Sequence, residues 1–477
     1  MRRHFAMSAL ALALAACASV TAPPKPPTLG LTSADRFSVY PIGATTPLAS
    51  DLLWWQRFDD PVLGRWVERA LANNPGVDIA CERVVQAQAL LGGARAQRRP
   101  VIGAVGTIES RGRSSGSDGN SSSNSSNNSS SGSGQGSSDA SVDLTLAWDL
   151  DVGGGLLQAE RSAAASVLRN EDLVQAARLS VAALTARAYV EWQEARLDQD
   201  LLSNALAMQA EVLRVVQVLV RTGLSPQLDL DRERADAAAI EADAANASVR
   251  VQQAAAALQV LAGERPQPLD SADGMPRLPE LQGQQPVPRP IDLLRLRPDL
   301  RAAERALAVA AANLGVAESA FYPRLRLPGT LALTSAGLSG GVLAIVTESV
   351  AAVLDIALFD GGARSAGVDL EQSRVREAGQ LYRQTLLQAL QQAEAALVAA
   401  EGLDRRIEAL QRASTAADAA LSQARTLYTN GLTGFIDVLD AQRIALTNRR
   451  NLLVARANAV RQSITLFEVM GMIAAQE

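Results

Sequence analysis

Hydrophobic residues in this chain follow a helical period over long stretches and an alternating period over short ones. From Gly155 to Arg221 alanine, leucine, glutamine and charged residues recur without a proline. This pattern predicts one uninterrupted helix, about 100 Å long. A break at residues 222–227 precedes a second predicted helix at residues 228–261. In the first helix, apolar steps of four and three indicate a coiled-coil seam at Leu201, Ala205, Met208, Val212, Val215 and Leu219.

The alternating period occurs on both sides of a tract of serine, asparagine and glycine. Val101–Ser110 and Ser141–Trp148 read as strands, and the second strand alternates apolar with polar residues. Together they predict a hairpin at about residues 101–149. The tract at residues 114–138 has nothing with which to build a core. We therefore expect a solvated loop there.

The chain contains this order of elements twice. Thr222-Gly223-Leu224-Ser225 returns 208 residues later as Asn430-Gly431-Leu432-Thr433, and Gly153-Gly154 returns at the same offset as Gly361-Gly362. Such a repeat indicates that one structural unit occurs twice in the chain. The sequence therefore predicts two copies of a helix–β-hairpin–long-helix–helix unit.

The composition of the connecting segment indicates where the copies begin and end. Repeat 1 is placed at residues 51–262, a Pro-rich connector at residues 263–296, and repeat 2 at residues 297–477. The elements predicted in repeat 2 are a hairpin at about residues 325–359, with strands at 325–334 and 350–359, and helices at 363–429 and 436–470.

The N-terminus reads as a secretory signal. Residues 1–16 combine a basic start with a short apolar run, and Leu14-Ala15-Ala16-Cys17 resembles the lipobox of bacterial lipoproteins. That resemblance implies a covalent lipid on Cys17 and a lipidated tether at residues 17–50. Ala18 follows the cysteine, which points to the outer membrane. An ordinary signal peptide with a chance cysteine is the alternative.

Composition argues against several classes of function. The single histidine, His4, lies in the predicted signal, so the mature chain lacks the usual histidine-based catalytic and metal sites. The formal net charge is −5, and no basic patch with interleaved aromatic residues indicates nucleic acid. We expect no enzyme, no metal site and no cofactor beyond the lipid on Cys17. The other cysteine, Cys81, is expected to be a small buried hydrophobe.

The predicted hairpins have strands of the length, about 9–11 residues, that crosses a membrane when tilted. Lipid does not tolerate open sheet edges, and the smallest closed barrels have about eight strands. Two hairpins cannot close such a barrel, whereas three chains would supply about twelve strands. A soluble β-meander beside a coiled coil is the alternative.

Several short motifs occur in a recognisable order. They are Trp54-Trp55-x-x-Phe58-x-Asp60-Pro61, Trp148-x-Leu150-Asp151, Arg297-Pro298-Asp299-Leu300-Arg301-Ala302-Ala303-Glu304, Phe321-Tyr322-Pro323-Arg324-Leu325, Phe359-Asp360-Gly361-Gly362 and Tyr428-x-x-Gly431 with Asp437-Val438-Leu439-Asp440-Ala441-Gln442. With these motifs, essentially the whole mature chain resembles the TolC-like outer-membrane efflux channels, in their OprM/NodT-like lipoprotein branch.

The resemblance implies an α+β membrane protein that forms a homotrimer, with a 12-stranded outer-membrane β-barrel over a long α-helical periplasmic tunnel. The implied function is a passive exit duct for small solutes such as drugs or other toxic compounds. An inner-membrane pump of the RND type would supply them through a periplasmic adaptor. A type I-like protein secretion duct and a non-conducting structural coiled-coil lipoprotein are the alternatives.

The resemblance also assigns residues to two sites. The turns that dock the adaptor would be formed by Gly223, Leu224, Ser225, Gly431, Leu432 and Thr433. The periplasmic gate would be formed by Asp437, Asp440, Asp229 and Tyr428, with a bond from Tyr428 to Asp229. Thr433 stands where some relatives have arginine, so one part of their closing network is in doubt. The alternative for the carboxylates is a solvated first turn that the helix dipole favours.

Overall fold

The computed structural model describes residues 30–32, 36–38, 53–111, 137–269, 274–283, 287, 289–338 and 341–472. The predicted signal, Cys17 and most of the tether lie outside the described residues, as does most of the polar tract. The second strand begins at Ser137, so the last residues of the predicted loop 114–138 belong to a strand.

The first copy follows the predicted order closely. Its elements are α1 (Pro61–Asn73), α2 (Pro75–Ala96), β1 (Val101–Arg111), β2 (Ser137–Leu150), α3 (Gly155–Arg221) and α4 (Gln227–Leu261). Within the predicted connector, residues 293–296 form a short helix, α5 (Leu293–Leu296).

The second copy departs from the prediction in its hairpin. Its elements are α6 (Pro298–Ser319), β3 (Arg324–Leu338), β4 (Gly341–Val350), β5 (Val353–Asp355), α7 (Ala363–Thr429) and α8 (Phe435–Val469). The predicted strand at residues 350–359 is wrong, because β4 ends at Val350 and only β5 follows it. The register sets Leu338 opposite Gly341, so the first strand extends past the predicted end at residue 334 and the second begins at Gly341 instead of residue 350. None of the helices described here has the length and apolarity of a membrane span.

The described residues form two compact units. Those within residues 87–167 and 307–378 form the sheet unit, and those within 53–86, 168–306 and 379–472 form the helical unit. In the sheet unit the strand order is β1-β2-β3-β4, all neighbours are antiparallel, and β5 pairs with β3. Among the described strands, none covers the outer edge of β1 or of β4.

Glycine motifs at the end of each hairpin lead into the long helices. Asp151 accepts hydrogen bonds from the backbone N–H groups of Leu156 (3.0 Å) and Leu157 (2.7 Å), which caps α3. Asp360 likewise accepts from the N–H of Arg364 (3.2 Å) at the start of α7. These carboxylates satisfy N–H groups that a helix start leaves without partners.

An aromatic cluster forms the core of the helical unit. Trp54 is completely buried and stacks on Phe467 with ring centroids 5.5 Å apart. Asp60 caps α1 through the N–H of Val62 (2.9 Å) and also accepts a hydrogen bond from the Tyr189 hydroxyl (2.9 Å). The Trp-Trp-x-x-Phe-x-Asp-Pro motif therefore ties the start of the first copy to α3 and α8.

The Arg-Pro-Asp motif of the second copy caps the C-terminal end of α8. Arg297 donates to the carbonyl oxygen of Val469 (2.7 Å) and pairs with Asp299 (2.7 Å). Because the last carbonyl groups of a helix lack internal partners, this guanidinium satisfies an otherwise open helix end.

Two predictions of burial need correction. Ala205 of the predicted α3 seam is buried, but the buried positions beside it are Leu202, Gln209 and Val216, whereas Val215 is 40% exposed. Gln209 is buried because it finds polar partners on α4 and α8. Cys81 is exposed in the single chain, since α2 buries Val77 and Ala80 instead.

Candidate functional site

The turns that join α3 to α4 and α7 to α8 have the same backbone structure. Gly223 and Gly431 adopt φ angles of 73° and 71°. In the first turn the backbone N–H of Leu224 donates a hydrogen bond to the carbonyl oxygen of Leu219 (2.8 Å). In the second, the N–H of Leu432 donates to the carbonyl oxygen of Leu427 (2.9 Å). Each helix thus ends in a Schellman motif, in which glycine tolerates the left-handed conformation.

The residues after each glycine divide between solvent and the next helix. Leu224 and Leu432 are 77% and 73% exposed. The Ser225 hydroxyl donates to Asp229 (2.8 Å), and the Thr433 hydroxyl donates to Asp437. In both copies a hydroxyl therefore holds a carboxylate in the first turn of the following helix, while an apolar side chain points outward.

An apolar cluster stabilises the turns from within. Val216, Leu230, Phe435 and Leu439 are buried together, and the ring of Tyr428 packs on Phe435 with centroids 5.5 Å apart. Burial, with added repulsion from negatively charged Asp229 and Glu233, raises the pKa of Tyr428.

The predicted bond from Tyr428 to Asp229 is absent from the described contacts of either residue. Asp229 instead accepts the Ser225 hydroxyl and lies 3.8 Å from the guanidinium of Arg232. Its carboxylate is thus engaged locally within α4. The phenol of Tyr428 contributes packing on Phe435.

The other two predicted gate residues share one exposed face of α8. Asp437 and Asp440 are both exposed, whereas Val438 and Leu439 between them are buried. Neither carboxylate forms an ion pair among the described residues. Two unneutralised carboxylates one turn apart attract cations and repel each other. No set of three or more metal-ligating side chains occurs in the part of the chain that the structure describes.

A buried polar layer next to this cluster escaped the sequence analysis. Its buried members are Gln209, Glu233, Asp236 and Gln442, from α3, α4 and α8. Arg443 on α8 reaches it from a side chain that is 56% exposed. Asp236 accepts hydrogen bonds from Gln209 (3.2 Å) and Arg443 (2.6 Å), and Gln442 donates to Gln209. A sequence signal existed, because Glu233 and Asp236 interrupt the buried stripe of α4 between Leu230 and Ile240.

Further ion pairs fasten α8 along its length. Arg450 lies 2.8 Å from Asp198, and Arg461 lies 2.6 Å from Glu194. Both carboxylates belong to α3. Asp198 is buried, and a buried ion pair loses stability when one partner is removed.

A family model described as outer membrane efflux protein matches residues 66–264 and 290–472. The solvent efflux pump outer membrane protein SrpC of Pseudomonas putida is 26% identical over 87% of this chain and 86% of its own. The pyoverdine export outer membrane protein OpmQ of Pseudomonas putida is 28% identical over 98% and 97%. The solved structure of the outer-membrane channel OprN has a TM-score of 0.81 and 27% identity, and covers 94% of this chain and 99% of that one.

These matches agree with the duplicated helix pairs and the antiparallel sheet. The two relatives from Pseudomonas putida are named for efflux or export, and neither name describes an enzyme. The family model covers both copies of the duplicated unit. The chain belongs to the outer membrane efflux protein family and acts in the outer membrane as the channel component of an efflux system.

Proposed function

We propose that this protein is a passive, trimeric exit duct whose entrance is gated at the turns between its long helices. The observation that carries the proposal is the pair of exposed carboxylates, Asp437 and Asp440, in the first turns of α8. They directly follow a turn that is pinned by a Schellman motif and an apolar cluster. A charged group at a rigid helix end is suited to control the passage of ions and solutes.

The sheet supports assembly of three copies. Among the described strands, β1 and β4 are each paired on one side only, and lipid does not tolerate open edges. Apolar residues such as Ile108, which is 85% exposed, and Val346, which is 67% exposed, suit contact with lipid. Three copies with four long strands each would close a barrel of about twelve strands.

Threefold symmetry would convert the two carboxylates of each α8 into rings. Asp437 and Asp440 from three chains would surround the passage, where their combined charge favours cations. The half-buried Asp229 and Tyr428 would support these rings from α4 and α7. The carboxylates of the rings repel one another, so contacts between the helices must hold the entrance closed against this repulsion.

The turns suit a protein partner. Leu224 and Leu432 expose apolar side chains at the ends of the helix pairs, and exposed apolar groups beside polar ones are typical of docking sites. We infer that Gly223, Ser225, Gly431 and Thr433 shape the surface on which a periplasmic adaptor docks, with an inner-membrane pump of the RND type behind it. A lipid on Cys17 would add an anchor in the outer membrane.

The cargo follows from the pump rather than from the duct. One relative is named for solvents and another for pyoverdine, so similar chains serve chemically different compounds. We therefore propose small solutes as cargo.

The test is single-channel recording of the purified protein in planar bilayers, with its mass determined in detergent. Replacing Asp437 and Asp440 with alanine should raise the conductance and lower the preference for cations, since the rings lose their charge. Asp404→Ala, which removes an equally exposed carboxylate from the middle of α7, is the control and should change neither. Unchanged currents in the double variant refute the gate. A monomer that carries no current refutes the duct and favours a structural lipoprotein.

A further inference from the structure

One carboxyl group of the buried polar layer has no role in the proposed gate. Glu233 on α4 is 0% exposed, and neither of its carboxyl oxygens has a hydrogen-bond partner among the described residues. An ionised carboxylate without a partner is costly to bury, so such a group favours its neutral form. The site is therefore suited to hold a proton.

Its neighbour Asp236 joins three helices. Asp236 is 5% exposed, and its carboxylate accepts hydrogen bonds from Gln209 on α3 and Arg443 on α8. Gln442, next to Arg443 on α8, donates to Gln209. The polar contact that holds α8 to α3 and α4 nearest the turns thus converges on a carboxylate one turn from Glu233.

The titratable and charged groups around Glu233 lie on three helices. The charge of Asp236, on the same helix, repels an ionised Glu233, and the uncharged phenol of Tyr428 on α7 lies within range of its charge. The guanidinium of Arg443 on α8 binds Asp236. From α3 the layer receives only the uncharged amide of Gln209. Burial and the charge of Asp236 raise the pKa of Glu233 from 4.5 to about 7.

The second copy shows that the fold does not require this carboxyl pair. At the offset of 208 residues, the counterpart of Glu233 is Ala441 and that of Asp236 is Ile444. The equivalent helix forms with those uncharged residues in place. Burial of an ionised Glu233 is unfavourable, and this carboxyl occurs in the first copy alone. We therefore expect it to serve a purpose other than folding.

We propose that Glu233 and Asp236 form a proton-dependent latch that holds α8 against α3 and α4. When Glu233 is protonated, Asp236 can keep both of its partners in a compact layer. When Glu233 releases its proton to water, two neighbouring carboxylates face the single guanidinium of Arg443, which already binds Asp236. Separation of α8 then relieves their repulsion by exposing Glu233. The latch rests on the proposed duct, because α8 carries Asp437 and Asp440.

The first test is single-channel recording of the full-length protein between about pH 6 and about pH 8.5, where exposed aspartates stay ionised. The ratio of open to closed channels should rise roughly tenfold over this interval, since the closed state keeps the proton longer. Glu233→Gln keeps the shape of the neutral carboxyl and should remain closed and insensitive to pH. Glu241→Gln removes an exposed carboxylate from the same helix and should retain the pH dependence.

A second measurement does not depend on currents. Spin labels at Ile444 on α8 and Val215 on α3, which are 55% and 40% exposed, report the separation of these helices in a Cys81→Ser background. The distance should widen as the pH rises, and Glu233→Gln should abolish the change.

The outcomes separate the latch from the duct. Equal pH dependence in the unmodified protein and in Glu233→Gln overturns the latch, and currents that persist leave the duct intact. If neither the unmodified protein nor the variant with alanine at Asp437 and Asp440 conducts, the duct fails. The spin labels then decide the latch, because a distance that does not respond to pH overturns it.

Discussion

The stability of the helical unit should depend on pH through Glu233, whether or not a channel opens. The pKa of this carboxyl is raised from 4.5 to about 7 in the packed protein. Below the lower value both the packed and the unpacked states are protonated, so the carboxyl imposes no penalty. Between the two values only the unpacked state releases a proton, and stability falls as the pH rises. Above the higher value both states are ionised and the loss is complete.

The size of this loss follows from the two pKa values. Their difference of about 2.5 corresponds to about 3 kcal/mol of stability at about 1.4 kcal/mol for each pH unit. Glu233→Gln removes the titration. The amide can introduce a buried donor of its own, which shifts stability by an amount that does not vary with pH. The slope, rather than the stability at one pH, therefore isolates the carboxyl.

Hydrogen exchange of the α4 backbone amides, measured from about pH 4.5 to about pH 8 and corrected for the intrinsic pH dependence of exchange, gives the opening free energy. The unmodified protein should lose about 3 kcal/mol more than Glu233→Gln over this interval. Glu241→Gln should follow the unmodified protein. Parallel slopes for the unmodified protein and Glu233→Gln would show that Glu233 is ionised while packed, and would refute the reasoning.

Two further predictions concern the turn and the core. Gly431→Val should destabilise its turn by about 1–3 kcal/mol because its φ of 71° is costly for a β-branched residue, and efflux should fall. Gly402→Ala inside α7 meets no atom within 4 Å and should stabilise the helix by about 0.5–1 kcal/mol. Hydrogen exchange at each site measures both effects, and equal protection in the two variants would contradict the conformational argument. Tyr189→Phe should cost about 1–3 kcal/mol in thermal unfolding, since Asp60 and Gln193 lose a buried partner, and an unchanged melting temperature would contradict that role.

The long helices could be predicted because their limits are set locally. Glycine and proline mark the ends of Gly155–Arg221, and the observed helix has the predicted bounds. The duplication then placed Ala363–Thr429 and its turn without further information. The turn glycines were equally accessible, since a left-handed residue after a helix end requires little more than its immediate neighbours.

The errors arose where contacts between distant segments decide the structure. Residues 341–350 and 350–359 are both rich in apolar residues, and only the register with β3 selects the first. Likewise, burial of Gln209 depends on Asp236 and Gln442, which lie on other helices. Periodicity within one segment cannot reveal such partners, because it assigns polar residues to the surface unless their buried hydrogen bonds are known.

The two copies of the duplicated unit differ in how they place charge, and this difference assigns the proposed gate to the second copy. In the first copy Asp229 lies 3.8 Å from Arg232, so their charges offset each other. At the offset of 208 residues Asp437 replaces Asp229, but Asp440 replaces Arg232. The pair formed by Asp229 and Arg232 therefore carries no net charge, whereas the corresponding pair formed by Asp437 and Asp440 carries two negative charges. Under threefold symmetry, the first copy would add little field to the passage, whereas the second would surround it with carboxylates.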